Sequence, residues 1–178
     1  LVLNMLSFSR KSDTVYSTEK LPDLMDRTIE LASNDYDLKK KYDFKKINIV
    51  RRYGRDIPAI PCETTNIQQV FLNILKNGAQ ALSEKEFDNV SPEIEIIIEH
   101  SNKNIRVEIS DNGPGISKED IKRIFEPFFT TKPVGVGTGL GLSISYFIIN
   151  EQHDGTLEVF SEEGLGTKFV ISMPLKNI

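Results

Sequence analysis

The sequence contains no tryptophan, one cysteine and two histidines among 178 residues. Its lone thiol, Cys62, cannot close an internal disulfide, so the fold must rest on apolar burial, and this usage fits a reducing compartment. No apolar run approaches the ~20 residues that a bilayer-spanning helix requires, and no signal-peptide pattern is visible at Leu1. Positive charge is in deficit. With 22 Lys and Arg against 26 Asp and Glu the net charge is -4, which excludes the basic footprint of a nucleic-acid or anionic-membrane binder. An anionic ligand would therefore be held locally, by backbone amides, a metal ion or a placed lysine. His100 and His153 have no cysteine or acidic partner at metal-ligand spacing and read as ordinary polar residues.

What is present is the composition of one globular domain with a short appendage, 39% hydrophobic and 27% charged. Leu1, Leu3, Met5, Leu6 and Phe8 read as the last turns of a helix, and a chain opening at leucine is expected to be a piece of a longer protein. A helix is expected over 21–41 and a strand from Ile47 to about Tyr53. Ile67, Val70, Phe71, Ile74, Leu75 and Leu82 recur at three- and four-residue steps, the strongest helical period in the chain. Two alternating strands follow, at 93–100 and 105–110. Ser117-Lys118-Glu119-Asp120 resembles a capping box opening a short helix through Ile124. A helix over 140–152 and two last strands, 156–160 and 167–173, complete the chain. This interleaving predicts an α+β sandwich rather than a purely parallel sheet.

Three motifs carry chemistry. Asn73 and Asn77 lie four apart on the periodic helix and share a face. An amide oxygen is a hard ligand suited to magnesium, although the pair alone reads as readily as a solvated helix face. Asp111-Asn112-Gly113-Pro114-Gly115 follows a strand directly. A carboxylate there can accept a hydrogen bond from an exocyclic amine such as adenine's, and the same residues make an ordinary tight turn. The third motif, 135–142 (Gly-Val-Gly-Thr-Gly-Leu-Gly-Leu), runs from loop into helix and offers backbone amides to an anion. It is neither a P-loop nor the dinucleotide fingerprint, and a linker would not run straight into an apolar helix. Phe125, Phe128, Phe129 and Lys132 lie between these motifs, as core packing or, for Lys132, as a point charge for phosphate. Cys62 reads as a small buried side chain.

In this order the motifs resemble the histidine-kinase branch of the Bergerat-fold (GHKL) ATP-binding superfamily. Residues 69–77 are similar to its N box, 111–115 to its first glycine box, 125–129 to its F box, 137–141 to its second glycine box, and 164–167 to its final glycine-threonine element. The resemblance covers about residues 20–175. It implies a two-layer α/β sandwich: a mixed, mostly antiparallel sheet of about five strands on about three helices, with a flexible ATP lid. It divides the chain into 1–19, the end of a dimerisation hairpin and linker, and 20–178, the ATP-binding catalytic domain.

By resemblance Asn77 would coordinate Mg2+, with Asn73 beside it. Asp111 would take the adenine amine, Gly113, Gly115 and Ile116 would shape the base pocket, and Thr167 would complete the base contact through water. Phe129, Thr130, Lys132, Gly137, Thr138, Gly139, Leu140, Gly141 and Leu142 would hold ATP or ADP from the lid. Asn73, Asn77 and Lys132 would form the catalytic set. The family usually carries alanine where this chain has Gly78. The implied activity is a protein histidine kinase that donates the γ-phosphate to a histidine on the hairpin, for relay to a response regulator receiver domain. Neither His100 nor His153 has the acceptor's setting, so the acceptor is expected outside this chain. Implied partners are the hairpin and the receiver domain, with no nucleic acid. The full-length protein is expected as a homodimer and this piece as a monomeric cytoplasmic domain, with membrane attachment of the parent left open.

Two other readings compete. Hydrolytic relatives carry a glutamate four before the metal asparagine to activate water. Here that position is Asn73, which cannot act as a base. A degenerate binding module would not need the intact glycines, Asn77 and Asp111.

Overall fold

The computed structural model describes residues 16–34, 44–132 and 137–175. The elements in chain order are β1 (Ser17–Glu19), α1 (Leu21–Asn34), a 3-10 turn (Phe44–Lys46), β2 (Asn48–Tyr53), β3 (Ile60–Cys62), α2 (Thr64–Ser83), β4 (Glu93–His100), β5 (Asn104–Asp111), α3 (Lys118–Ile121), α4 (Gly141–Phe147), β6 (Thr156–Glu162) and β7 (Gly166–Pro174). A π turn, Ile148–Gln152, continues α4.

The five-stranded sheet has the order β2-β4-β5-β7-β6. Only β2 and β4 are parallel; the other neighbours are antiparallel. Alternation places Ile94, Ile96 and Ile98 of β4, Ile105, Val107 and Ile109 of β5, and Phe169, Ile171 and Met173 of β7 on one face. All nine are buried in the core. Helix α2 lays Ile67, Val70, Phe71, Ile74 and Leu75 on that face, as its period predicts. Each fully buried isoleucine contributes roughly 1.5–3 kcal/mol of transfer free energy. The expected mixed α+β sandwich is the observed architecture.

The structure adds to the sequence reading in four places. Ser17–Glu19 pairs antiparallel with Ile60–Cys62 as a separate two-stranded sheet, which the sequence reading did not contain. Helix α1 is seen through Asn34; the rest of the expected 21–41 helix, the N-terminal helix end and part of the lid lie outside the described residues. Helix α3 is shorter than expected, ending at Ile121, although Ser117 caps it as read, its Oγ accepting from Asp120 N at 3.1 Å.

The fourth change concerns His153, which is a buried joint and not an ordinary polar residue. Its Nδ1 lies 2.8 Å from the Ile148 carbonyl, and its Nε2 accepts from the Glu63 amide at 3.1 Å. The network assigns the neutral tautomer protonated at Nδ1. Glu63 is the N-cap residue of α2 and makes no side-chain cap bond, so His153 satisfies an amide at the helix entrance. Cys62 is buried, as read, and burial pushes its thiol up to about 11.

Gly78 sits inside α2, where glycine costs about 1 kcal/mol relative to alanine. A methyl group there would stand 3.4 Å from Ile94 Cδ1 and 3.7 Å from Asp111 Oδ2, ordinary contact distances. Gly78→Ala is therefore expected to raise stability by about 0.5–1 kcal/mol in chemical denaturation without weakening nucleotide binding. A loss of either would show that this helix face has no room for a methyl group.

Candidate nucleotide site

A cleft of about 950 Å³ opens between α2, the C-terminal end of β5 and the segment leading into α4. Its lining brings together Asn73, Asn77, Asp111, Gly115, Ile116, Phe129, Thr130, Lys132, Gly137, Thr138, Gly139, Gly141, Leu142 and Thr167, which the sequence scatters over nearly a hundred residues. Gly113 and Leu140 are absent from that lining. Gly113 stands behind Asp111, and Leu140 is the N-cap residue of α4, its amide turned to Thr138 Oγ1 at 3.4 Å.

Asp111 ends β5 and pairs with Thr167 across β7 and with Ile94 across β4. Burial pushes its carboxyl up to about 6, against the pull of the Gly113 and Thr167 amides and the Lys85 charge. The Gly113 amide donates to Asp111 Oδ1 at 2.9 Å. Thr167 Oγ1 lies 2.9 Å from Ser161 Oγ, and Ser161 Oγ also accepts from the Ile116 amide at 2.8 Å. The far strands β6 and β7 thereby fix the floor of the pocket.

The two asparagines do different work. Asn73 Nδ2 donates to Gly141 O at 3.1 Å and to Ser145 Oγ at 3.2 Å, clamping α2 to the start of α4. Asn77 keeps its amide toward the cleft, where Oδ1 accepts from Lys132 Nζ at 3.2 Å. Burial lowers the Lys132 pKa, and Glu84 counters it. Among the described residues, the charged ones of the lining are Lys76 and Lys132 against Glu84, Asp111 and Asp120, which gives no net positive charge. A triphosphate entering it would need neutralisation by amides and a metal ion.

Sequence reasoning missed Lys85. Its Nζ donates to the carbonyls of Asn112 at 2.8 Å, Gly113 at 3.1 Å and Gly164 at 3.0 Å. In the sequence it is one charge in a polar loop, and nothing in its neighbours marks it.

The family model for the histidine kinase-, DNA gyrase B-, and HSP90-like ATPases matches residues 62–177. The chain is 32% identical over 176 residues to Sporulation kinase E of Bacillus subtilis, covering 99% of this chain and 22% of that protein. It is 28% identical over 175 residues to Sensor histidine kinase ZraS of Escherichia coli, covering 98% of this chain and 34% of that one. The chain thus spans between about a fifth and a third of the length of these relatives. A nucleotide-free structure of the catalytic domain of histidine kinase ThkA superposes with a TM-score of 0.74 at 28% identity, over 92% of this chain and 99% of that one. Fold, motif order and these likenesses agree: the chain belongs to the histidine kinase-, DNA gyrase B-, and HSP90-like ATPases, as a catalytic domain of the sensor histidine kinase type.

Proposed function

We propose that this domain binds Mg-ATP in the cleft and donates the γ-phosphate to a histidine on a helical dimerisation hairpin, for relay to a response regulator receiver domain. The observation that carries the reading is the convergence on one cleft of a buried carboxylate, an amide oxygen already facing a cation, and a glycine-rich segment. Asp111 takes the exocyclic amine of adenine. Thr167 and Ile116 bound the base, and the amides of Gly137, Thr138 and Gly139 face the phosphates together with Lys132.

The donor set fits magnesium. Asn77 Oδ1 is a hard oxygen, and its present partner is a cation, the Lys132 ammonium. One protein ligand suits an ion that keeps waters and phosphate oxygens as its other ligands. Bound there, the ion would supply charge neutralisation on the phosphates. Everything else the domain contributes is positioning: the base in its pocket, the phosphates against the amides, the γ-phosphate toward the open side of the cleft.

Transfer is favoured over hydrolysis by Asn73. It occupies the position where hydrolytic relatives carry their base, and its amide is committed to α4. The acceptor is placed on a partner hairpin because neither histidine of this chain suits the role. His153 is buried with both ring nitrogens engaged. His100 stands six residues along β4 from Ile94, the partner of Asp111, roughly 20 Å away at strand rise.

The test is a titration with ATP, with and without magnesium, followed by addition of the hairpin of the parent protein. Magnesium-dependent binding and acid-labile phosphate on the hairpin are expected, with slow release of free phosphate beforehand. Rapid turnover without the hairpin, or phosphohistidine on this chain, would sink the reading. In the same assay Asn77→Ala should weaken magnesium-dependent binding by about tenfold, about one charge-assisted contact. An unchanged magnesium dependence would remove Asn77 from the metal site.

A further inference from the structure

Lys85 lies outside the motifs, in the loop between α2 and β4, yet its ammonium has three donors and places all of them on backbone carbonyls. Two of these carbonyls, Asn112 and Gly113, belong to the loop after β5. The third, Gly164, belongs to the β6–β7 turn, which also donates back, Gly164 N to Pro114 O at 2.7 Å. One cation thus joins three segments around the proposed base pocket.

The bond to Asn112 O is the consequential one. The Asn112 carbonyl and the Gly113 amide are the two ends of a single planar peptide unit. The carbonyl end accepts from Lys85 Nζ at 2.8 Å, and the amide end donates to Asp111 Oδ1 at 2.9 Å. A hold on one end fixes the direction of the other, and a cation at the oxygen strengthens the N–H as a donor. We propose that Lys85 is a positioning residue for base recognition: acting through the Asn112–Gly113 peptide, it orients the Asp111 carboxylate toward the exocyclic amine of the base. This rests on the reading of the cleft as an adenine nucleotide site.

The rest of the loop has anchors of its own. Asn112 Oδ1 accepts from Glu93 N at 2.9 Å, Asn112 Nδ2 donates to Ser91 O at 3.0 Å, and Asn112 N donates to Glu93 O at 3.3 Å. These bonds to the β4 end hold the course of the chain without Lys85, so its loss acts on the peptide and the carboxylate more than on the fold. Lysine suits the task and arginine does not. Three carbonyls converge on one point, which a compact ammonium meets and a planar guanidinium fork cannot. Lys85 is also the charged group that acts on Asp111, and it holds the carboxyl below where burial alone would put it.

The test compares ATP with inosine triphosphate, which carries an oxo group in place of the amine. Wild-type protein, Lys85→Met and Lys85→Arg, each as the full chain, are titrated with both nucleotides in magnesium from pH 5 to 8. In the wild type ATP is expected to bind more tightly. In Lys85→Met, ATP should lose about tenfold and inosine triphosphate no more than about twofold. The ratio of the two affinities, in which the titration of the phosphates cancels, should also collapse at a higher pH than in the wild type. Equal losses for the two nucleotides, or none, in a protein whose wild type prefers ATP would overturn the proposal and leave the site reading standing. A wild type that binds both equally would overturn the reading of Asp111 and this proposal with it. Should Lys85→Met fail to fold, Lys85→Arg decides. It keeps the charge and loses the three-way contact, so ATP is expected to weaken about threefold with the pH midpoint unmoved; wild-type ATP affinity there would overturn the proposal.

Discussion

Replacing Asp111 with asparagine is expected to cut affinity for ATP by about a hundredfold while making the nucleotide-free domain more stable at neutral pH. The number of acceptors on the side chain decides the affinity. Asp111 Oδ1 already accepts from the Gly113 amide, leaving the other oxygen for the amine of the base. Asparagine has one acceptor and one donor group on the same carbon. If its oxygen stays with Gly113, its NH2 confronts the amine of adenine; if it flips, its NH2 confronts the Gly113 N–H. Either arrangement loses a charge-assisted bond of about 1.5–3 kcal/mol and sets donor against donor, roughly 3 kcal/mol together. Calorimetry with inosine triphosphate, whose oxo group accepts where the amine donates, should show a far smaller loss. Equal losses for the two nucleotides would remove Asp111 from base recognition.

Proton linkage sets the stability of the variant. The folded-state carboxyl titrates at about 6 because burial raises it from an ordinary value of 3.8. The folded protein therefore holds a proton that the unfolded chain releases between about pH 4 and 6. The stability from this group is fully present below the lower value and is lost as pH rises through the upper one. At pH 7 the buried charge costs on the order of 3 kcal/mol at about 1.4 kcal/mol per unit, and asparagine removes that cost at the expense of one hydrogen bond. Melting curves should show the variant gaining about 2–3 kcal/mol on the wild type between pH 4 and 7, which leaves it about 1–2 kcal/mol ahead at pH 7 after the hydrogen-bond loss, several degrees for a domain of this size. A difference in melting temperature that does not move with pH would contradict the assigned charge. Function is here bought with stability, as strained sites commonly are.

How much of this was legible beforehand varied with the range of the interaction. The sheet and α2 were readable because their signals are local: alternation in β4 and β5, three- and four-residue steps in α2. The cleft residues were readable because the motifs are local too, and Asn77, Asp111 and Lys132 meet in one cleft as the motif order implied. Three features were not legible, and each depends on backbone partners distant in sequence. Strand β1 is three residues long and finds its partner more than forty residues away. His153 is a helix joint only because Glu63, ninety residues earlier, turns its amide to it. Lys85 binds carbonyls, which every residue has and no sequence displays. Side-chain chemistry announces itself in a sequence, whereas a contact to the main chain is announced only by the fold.

The glycine-rich segment gives the second large effect, and its two described central glycines should behave differently. Gly139 has φ +66, and a methyl group there would stand 2.7 Å from Phe128 Cα, inside the backbone of its neighbour. Phe128 itself holds φ +67 and donates its amide to Gly139 O at 2.9 Å. This seam joins the chain before the lid segment to the chain after it. Alanine at Gly139 must both adopt a disfavoured φ, about 1 kcal/mol or more, and push two backbones apart. The seam should open and carry Thr130 and Lys132 away from the cleft, weakening ATP binding by roughly thirty- to a hundredfold. Global stability should change little, because Phe128 is exposed and the core does not depend on it. A methyl group at Gly137 would meet side chains and no backbone, Thr130 Oγ1 at 2.7 Å, Lys132 Cδ at 2.8 Å and Lys132 Cβ at 3.1 Å, so rotation of the first two and a shift of a few tenths of an ångström at the third make room. Gly137→Ala should therefore cost no more than about threefold. Calorimetric titration of both variants with Mg-ATP, beside a denaturation curve for each, separates the cases. If Gly137→Ala binds as poorly as Gly139→Ala, the segment works through general flexibility and not through the Phe128 seam.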